Sequence, residues 1–172
     1  LELMQKSGCR QVLIGLESPN VNGVNQIELR RNWKRDKFQH YERAIHEIQS
    51  HGLTVNGCFI LGLDGDTEEV FDQVYEFVER TGLFEVQITV LTPFPGTPLY
   101  QRLRNEGRIL EDTWRKCTLF DVNYIPKLMS VEALEKGIVE LSKNVYNKGF
   151  IEERQRRFFK NLRERKSQIS LN

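Results

Sequence analysis

The chain reads Val55-Asn56-Gly57-Cys58-Phe59-Ile60-Leu61-Gly62-Leu63-Asp64-Gly65-Asp66-Thr67 near its middle. This is a short, mostly apolar run that ends in glycines and aspartates, which is typical of a buried strand and the loop after it. Two further runs have the same character, Gln11-Val12-Leu13-Ile14-Gly15-Leu16 and Val86-Gln87-Ile88-Thr89-Val90-Leu91. Their near-continuous apolar content predicts strands that are covered on both faces, as in a parallel sheet.

Helical patterns separate the three predicted strands. Residues 36–51 and 67–81 place apolar side chains at steps of three and four, and a glycine follows each segment where a helix would end. Asp66 stands three residues before Glu69, which is typical of a capping box at a helix start. The order strand, helix, strand, helix, strand predicts a parallel sheet with right-handed crossovers.

After the last predicted strand the chain becomes largely helical. Helices are predicted over 98–106, with Thr97 as N-cap, and over 130–147, with Ser130 as N-cap. The connection at 108–129 shows no regular period and is predicted to be irregular.

The composition fits one globular domain and excludes several other classes. The chain has 172 residues, of which 39% are hydrophobic, and its 25 Lys and Arg against 24 Asp and Glu leave a net charge of +1. This balance excludes collagen, coiled coils and disordered tails, and it requires neither a nucleic acid nor an anionic membrane as partner. No apolar run approaches the roughly 20 residues of a membrane span, and no signal peptide is evident. The chain begins with Leu1, which predicts a fragment or a processed chain.

The three cysteines predict reduced thiols and no metal site. Cys9, Cys58 and Cys117 are 49 and 59 residues apart, so no two of them have the spacing of a zinc or iron–sulfur motif. An odd number of dispersed cysteines is typical of a reducing compartment, and we expect a cytoplasmic protein. We interpret the cysteines as small core or near-core residues.

A small-molecule site is predicted beyond the carboxyl ends of the strands, where parallel α/β sheets bind ligands. Three loops meet there, at residues 15–19, 62–67 and 92–96. They offer a carboxylate for sugar hydroxyls or an amine, glycines that allow close approach to a flat ligand, and a stiff proline wall. No nucleophile–base pair is evident, and no catalytic residue is assigned. Alternatively, the acidic residues are a solvated loop carboxylate, Glu17, and ordinary turn or cap residues, Asp64 and Asp66.

The three loops together resemble those of radical S-adenosylmethionine (radical SAM) enzymes. Gly15-Leu16-Glu17-Ser18 resembles the segment after the fourth strand of that family's barrel. Residues 57–67 and 92–100 resemble the loops of the fifth and sixth strands. The resemblance covers about residues 8–147, and it is strongest to the branch of the family that has an upstream cobalamin-binding domain.

The fold that this resemblance implies is α/β. Residues 1–107 are expected to form the C-terminal half of a partial (βα) barrel, with three parallel strands and covering helices, and residues 108–172 a helical C-terminal extension. The family's CxxxCxxC cluster motif and its glycine-rich segment after the second strand are absent, and Cys58 stands where the family often has glycine. The chain is therefore expected to begin just before the fourth strand and to supply no iron ligand.

The resemblance also implies a SAM site at the strand ends. Glu17 is expected to contact the ribose hydroxyls, with Ser18 assisting. The adenine is expected to lie between two sets of residues, Ile60, Leu61 and Gly62 on one side and Leu91, Thr92 and Pro93 on the other. Many members place a cation after the fourth strand to meet the SAM carboxylate, and the candidates here are Arg30, Arg31, Lys34 and Arg35. Alternatively, this basic run is the solvated start of a helix.

In function, the resemblance implies a fragment of a radical SAM iron–sulfur enzyme. The full-length protein is expected to bind SAM and a 4Fe–4S cluster, with cobalamin as a further cofactor of that branch, and to cleave SAM reductively or methylate a substrate that the sequence does not identify. Its partners would be the missing N-terminal half of its own chain and a small-molecule substrate, and this chain alone is expected to be inactive. The alternative is a self-sufficient α/β small-molecule-binding or interaction domain without catalysis.

Two further expectations concern the ends of the chain. Residues 148–172 hold eight Lys and Arg against three Glu, which predicts an amphipathic helix that covers the barrel side with a solvated basic face. The alternative for this segment is an RNA-contacting helix. Residues 11–16 would leave a bare sheet edge, so either copies of the chain associate there or an N-terminal strand covers it.

Overall fold

The computed structural model describes residues 1–19, 40–111 and 114–169. Two predictions fall outside these ranges, namely the basic run Arg30, Arg31, Lys34 and Arg35 and the first residues of the helix expected over 36–51. Within the described ranges, no helix is long and apolar enough to cross a membrane.

The predicted three-stranded parallel sheet is confirmed. Its strands β1 (Gln11–Glu17), β2 (Thr54–Leu61) and β3 (Glu85–Val90) lie side by side in sequence order. Each strand matches its apolar run to within a residue at either end. Because the strands are parallel, their carboxyl ends and the loops that follow them meet at one edge of the sheet.

Helices occupy the segments where periodicity predicts them. The described helices are α1 (Glu2–Lys6), α2 (Tyr41–Ser50), α3 (Glu69–Thr81), α4 (Pro98–Asn105), α5 (Val131–Val145) and α6 (Lys148–Ile169). The predicted caps are confirmed, since Thr97 Oγ1 accepts from the backbone N–H of Tyr100 at 3.2 Å and Ser130 Oγ from that of Ala133 at 3.0 Å. The helix α1 was not predicted, because five residues are too few to show a helical period.

The start of α3 differs from the prediction. Gly82 ends this helix in the left-handed region with φ 60°, as expected, but the N-cap residue Glu68 makes no side-chain cap bond. The Asp66 carboxylate accepts hydrogen bonds from three donors in the loops after β1 and β2. The helix therefore begins two residues later than the capping-box prediction for Asp66 requires, since its N-cap residue is Glu68.

Burial alternates along the strands and divides the sheet into a covered face and an open face. On the covered face, Val55, Phe59 and Leu61 of β2 are at most 1% exposed and belong to the core that α2 and α3 complete. The open face carries Leu13, Gly15, Cys58, Ile60 and Gln87. Leu13 is 66% exposed there, so the described residues do not provide the second cover that was expected. The strands are less continuously apolar than the sequence analysis assumed. Small and polar side chains such as Gly15, Cys58 and Gln87 alternate with apolar ones and occupy the open face.

One apolar core joins residues from both sides of the domain boundary predicted at residue 107. Phe59 and Val74 lie in the same buried cluster as Tyr124 and Leu134. The connection between α4 and α5 is irregular, as predicted, yet it supplies the fully buried Tyr124 to this core. As a domain boundary, residue 107 stays a prediction.

The two outer edges of the sheet differ. Along β3, Tyr146 Oη accepts from the N–H of Ile88 and donates to the carbonyl of Val86, both at 3.2 Å, and the N–H of Val90 donates to the carbonyl of Leu119 at 2.7 Å. Within the described ranges β1 pairs only with β2. The prediction that an N-terminal strand covers β1 is wrong for this segment, because Glu2–Lys6 forms the helix α1. The predicted association of two copies through β1 stays a prediction.

The basic C-terminal helix α6 packs against α2, α5 and the residues just before β3. Its Arg154 is 4% exposed and donates from Nη1 to the carbonyl of Leu83 and from Nη2 to that of Val145, both at 3.1 Å. Phe158 of the same helix is also buried. These contacts support the packed helix rather than an RNA-contacting one, because Arg154 and Phe158 face the protein interior.

Candidate functional site

The carboxyl edge of the sheet brings together all eight residues predicted to contact SAM. These are Glu17 and Ser18 after β1, Ile60, Leu61 and Gly62 at the end of β2, and Leu91, Thr92 and Pro93 after β3. Their side chains do not share one face, however. Ile60 and Leu91 are half-buried, whereas Leu61 is fully buried among the core side chains of the covered face.

Glu17 reaches the open face through a distortion of β1. The pairing with β2 shifts between Gly15 and Glu17, and Glu17 has the rare backbone angle φ 64°. Its Oε1 lies where a side chain at Gly15 would be, 2.8 Å from the ideal Cβ position. Glycine at position 15 therefore gives the carboxylate room to fold back over the strand. Strained backbone of this kind is concentrated at functional sites in proteins.

Cys58 and Gln87 lie next to this carboxylate on the open face. Gly15, Cys58 and Gln87 are opposite one another across the three strands, and the Cys58 thiol is 3.7 Å from Gln87 Oε1. Burial, and after it the negative charge of Glu17, raise the pKa of Cys58 above its ordinary value. The thiol is therefore protonated at neutral pH, and its titration reports the position of Glu17.

Ser18 and Asp66 link the loops after β1 and β2. Both residues are fully buried. Ser18 Oγ donates to Asp66 Oδ1 at 3.1 Å, and Asp66 Oδ2 accepts from the backbone N–H groups of Gly62 at 3.2 Å and Leu63 at 3.0 Å. Sequence reasoning assigned Asp66 to the helix and missed this role, because the local pattern of an acidic residue before a helix is the same in both cases.

Gly62 is also held from its carbonyl side. Tyr124 Oη donates a short hydrogen bond to the Gly62 carbonyl, and Gly62 itself has φ 87°. Burial, and after it the charge of Asp66, raise the pKa of Tyr124, so the hydroxyl stays a donor throughout the physiological range. Sequence reasoning missed Tyr124, since an irregular segment 62 residues further along the chain gives no signal of this contact.

The third loop supports the edge from the side of β3. Leu91 N–H donates to the Leu61 carbonyl at 2.9 Å, which continues the sheet one residue past β3. Thr92 Oγ1 donates to the Val90 carbonyl at 3.0 Å, and Thr92 and Pro93 are buried. Of these three predicted residues, Leu91 is the most accessible to a ligand.

The buried carboxylate of Asp64 forms ion pairs with two arginines of the segment after β3. Its Oδ2 is 2.5 Å from Arg102 Nη1, and its Oδ1 is 2.7 Å from Arg108 Nη2. Burial alone would raise the pKa of Asp64, but hydrogen bonds from Arg108 and Arg102 outweigh it and hold that pKa below its ordinary value. The network ties the loop after β2 to α4 and the chain beyond it, which is a structural role.

This network makes the stability of the chain sensitive to acid. The folded protein releases the Asp64 proton at lower pH than the unfolded chain, whose pKa is about 3.9, so the ion pairs stabilise the fold above that pH. We expect the stabilisation to be lost as the pH falls through the lowered pKa. Urea unfolding between pH 6 and 3 should show a flatter pH dependence for Asp64→Asn than for the parent chain, with the exposed Asp72→Asn as control. Parallel curves for the parent and Asp64→Asn would contradict this assignment.

The carboxyl edge of the sheet offers groups of the kinds that contact a nucleoside. A carboxylate, two half-buried apolar side chains and glycine backbone lie at one edge, which matches ribose hydroxyls and a flat base. Across residues 1–19, 40–111 and 114–169, no group of three His, Cys, Asp or Glu is placed to hold a metal ion, and no disulfide joins the three cysteines.

Two family models match parts of the chain. A family model described as "Radical SAM superfamily" matches residues 1–78, and one described as "Domain of unknown function (DUF4070)" matches residues 97–171. The chain is 30% identical over 145 residues to bacteriochlorophyllide d C-12(1)-methyltransferase of Chlorobaculum tepidum, which covers 84% of the chain and 30% of that protein.

Two further relatives carry different names. Hopanoid C-2 methylase of Rhodopseudomonas palustris is 30% identical over 116 residues, or 67% of the chain and 21% of that protein. Anaerobic magnesium-protoporphyrin IX monomethyl ester cyclase of Rubrivivax gelatinosus is 26% identical over 137 residues, or 80% of the chain and 22% of that protein. The chain belongs to the radical SAM superfamily. It spans 30% or less of the length of these relatives.

Proposed function

We propose that this chain forms the adenosine side of the SAM site in a radical SAM enzyme. The observation that carries the proposal is the Glu17 carboxylate, which the distorted strand end holds over Gly15 at the carboxyl edge of the sheet. In this reading Glu17 accepts hydrogen bonds from the ribose hydroxyls, and Ile60 and Leu91 flank the adenine. Leu61, Ser18, Thr92 and Pro93 support these residues from the buried side.

The whole protein is proposed to be a methyltransferase or a related reductive SAM enzyme of the cytoplasm. Two of the three relatives named above are methylating enzymes, which favours methyl transfer over other outcomes. Bound SAM supplies the methyl or deoxyadenosyl group for such chemistry. The iron–sulfur cluster and, in this branch, cobalamin would be held by residues outside the described ones. The contribution of this chain is to bind and orient the nucleoside and to shield it from water.

The test is SAM binding to the whole protein. A carboxylate that accepts hydrogen bonds from a ligand contributes about 1.5–3 kcal/mol, so Glu17→Ala should weaken SAM binding about 10- to 100-fold. The matched control is Glu85→Ala, which removes a carboxylate from the opposite, amino-terminal end of the same sheet. Calorimetric titration with SAM measures both variants under anaerobic conditions.

Either result decides between the candidate functions. Weaker binding in Glu17→Ala together with unchanged binding in Glu85→Ala would support the SAM site. Equal affinities in the parent and in both variants would overturn it, and the self-sufficient α/β binding or interaction domain would then be the better reading.

A further inference from the structure

We infer that Asp66 is a positioning residue that fixes the Glu17 loop relative to the backbone of Gly62. The inference rests on the proposed function, because these two elements are the ribose and adenine sides of the proposed SAM site. Asp66 itself is fully buried and would not touch the ligand. Its effect would be transmitted through Ser18, the residue directly after Glu17.

Both oxygens of the Asp66 carboxylate are used, and each serves a different loop. Oδ1 accepts from the Ser18 hydroxyl at 3.1 Å, and Oδ2 accepts from the backbone N–H groups of Gly62 and Leu63 at 3.2 and 3.0 Å. A buried carboxylate is costly unless donors compensate it, and here the donors come from two loops that follow neighbouring strands. The carboxylate therefore sets the distance between the loops.

The opposite side of Gly62 is fixed independently. Tyr124 Oη donates to the Gly62 carbonyl, so this one residue is held at its N–H group by Asp66 and at its carbonyl by Tyr124. A fixed Gly62 gives Asp66 a rigid base from which to position Ser18. Displacement of the Ser18 link should consequently move the Glu17 loop and leave Gly62 in place.

The alternative role for Asp66 is stabilisation of α3. The helix begins at Glu69, and its N-cap residue is Glu68. The hydrogen bonds described above join the Asp66 carboxylate to the loops after β1 and β2. A residue that served the helix alone would leave the loop positions unchanged when removed.

Three variants separate these roles. Asp66→Ala removes every bond of the carboxylate, and Ser18→Ala removes only the link to the Glu17 loop. Asp66→Asn is the conservative variant, since its amide oxygen can accept from the two backbone N–H groups while its amide nitrogen donates to Ser18 Oγ. In the whole protein we expect SAM affinity to fall about 10-fold in Asp66→Ala, about 3- to 5-fold in Ser18→Ala, and less than 2-fold in Asp66→Asn.

The decisive measurement is a double-mutant cycle between Ser18→Ala and Glu17→Ala. If Ser18 acts through Glu17, its substitution should change SAM affinity less than 1.5-fold once Glu17 is alanine. Additive losses would overturn the inference and leave the proposed SAM site standing. Unchanged affinity in Glu17→Ala alone would instead overturn the proposed function, so the two failures are distinguishable.

A second readout does not depend on SAM or on the iron–sulfur cluster. The charge of Glu17 raises the pKa of Cys58, and Asp66 is not among the causes of that shift. In the chain with Cys9→Ser and Cys117→Ser, movement of Glu17 should lower the Cys58 pKa and speed alkylation by iodoacetamide at pH 8. We expect Ser18→Ala and Asp66→Ala to react about 3-fold faster than the parent and Asp66→Asn to react at the parental rate. Equal rates in all four chains would contradict the inference.

Discussion

Gly62→Ala is expected to be among the most destabilising substitutions in the chain. A Cβ at this position would lie 2.2 Å from Tyr124 Oη and 2.8 Å from Leu134 Cδ2, and the φ of 87° is strained for any residue with a side chain. Backbone strain and overpacking together cost about 3 kcal/mol, which should lower the melting temperature by about 10 °C. Thermal and urea unfolding of the parent and the variant measure the effect.

The matched control for this prediction is Gly96→Ala. Gly96 has nearly the same φ, 85°, but no atom lies within 4 Å of a Cβ built there. It should show the backbone cost alone, about 1 kcal/mol. If Gly62→Ala and Gly96→Ala lose equal stability, then the close approach of Tyr124 to Gly62 is not as described.

Arg154→Met is the second substitution with a large expected effect on stability. The parent side chain is buried and donates to the carbonyls of Leu83 and Val145, and its guanidinium lies 5.0 Å from the ring centroid of Phe150. Methionine fills a similar volume and donates to neither carbonyl. Two buried acceptors without a donor cost about 3 kcal/mol together. The free energy of unfolding in urea is the measurement.

Two further variants in α6 serve as controls for this prediction. Arg156→Ala removes an exposed arginine from the same helix and should change stability by less than about 0.5 kcal/mol. Arg154→Lys keeps the charge but cannot reach both carbonyls in the same forked geometry, so it should fall between the parent and Arg154→Met. A stable Arg154→Met would mean that α6 is not anchored by this residue.

The sheet and most helices could be predicted because their signals are local. Three apolar runs bounded by glycines and acidic residues gave the strands, and Thr97 and Ser130 cap the helices that they were expected to cap. The alternation of faces along β2 would also have corrected the predicted adenine contacts. Ile60 and Leu61 are successive residues in a strand, so only one of them can face a ligand on the open face.

The site could not be predicted where its contacts are distant in sequence. The approach of Tyr124 to Gly62 joins positions 62 residues apart, and an irregular segment offers no pattern to reveal it. The register shift at the end of β1 likewise has no compositional mark apart from Gly15. The bond between Ser18 and Asp66 likewise joins positions 48 residues apart, and the local sequence around Asp66 does not reveal it.

The unequal edges of the sheet limit how this fold can be extended. Tyr146 and the Leu119 carbonyl occupy the hydrogen-bonding groups of β3 that another strand would need, whereas the described residues leave the outer side of β1 to other partners. A further strand, from the same chain or another copy, therefore has one place to add. If two copies paired through their β1 strands, the open edge of each sheet would be covered by the other copy. A third copy would then have no open edge to pair with, and the assembly would end as a dimer. In the described part of the chain, strand addition is thus blocked at β3 and open at β1, so repeated addition would end with such a pair.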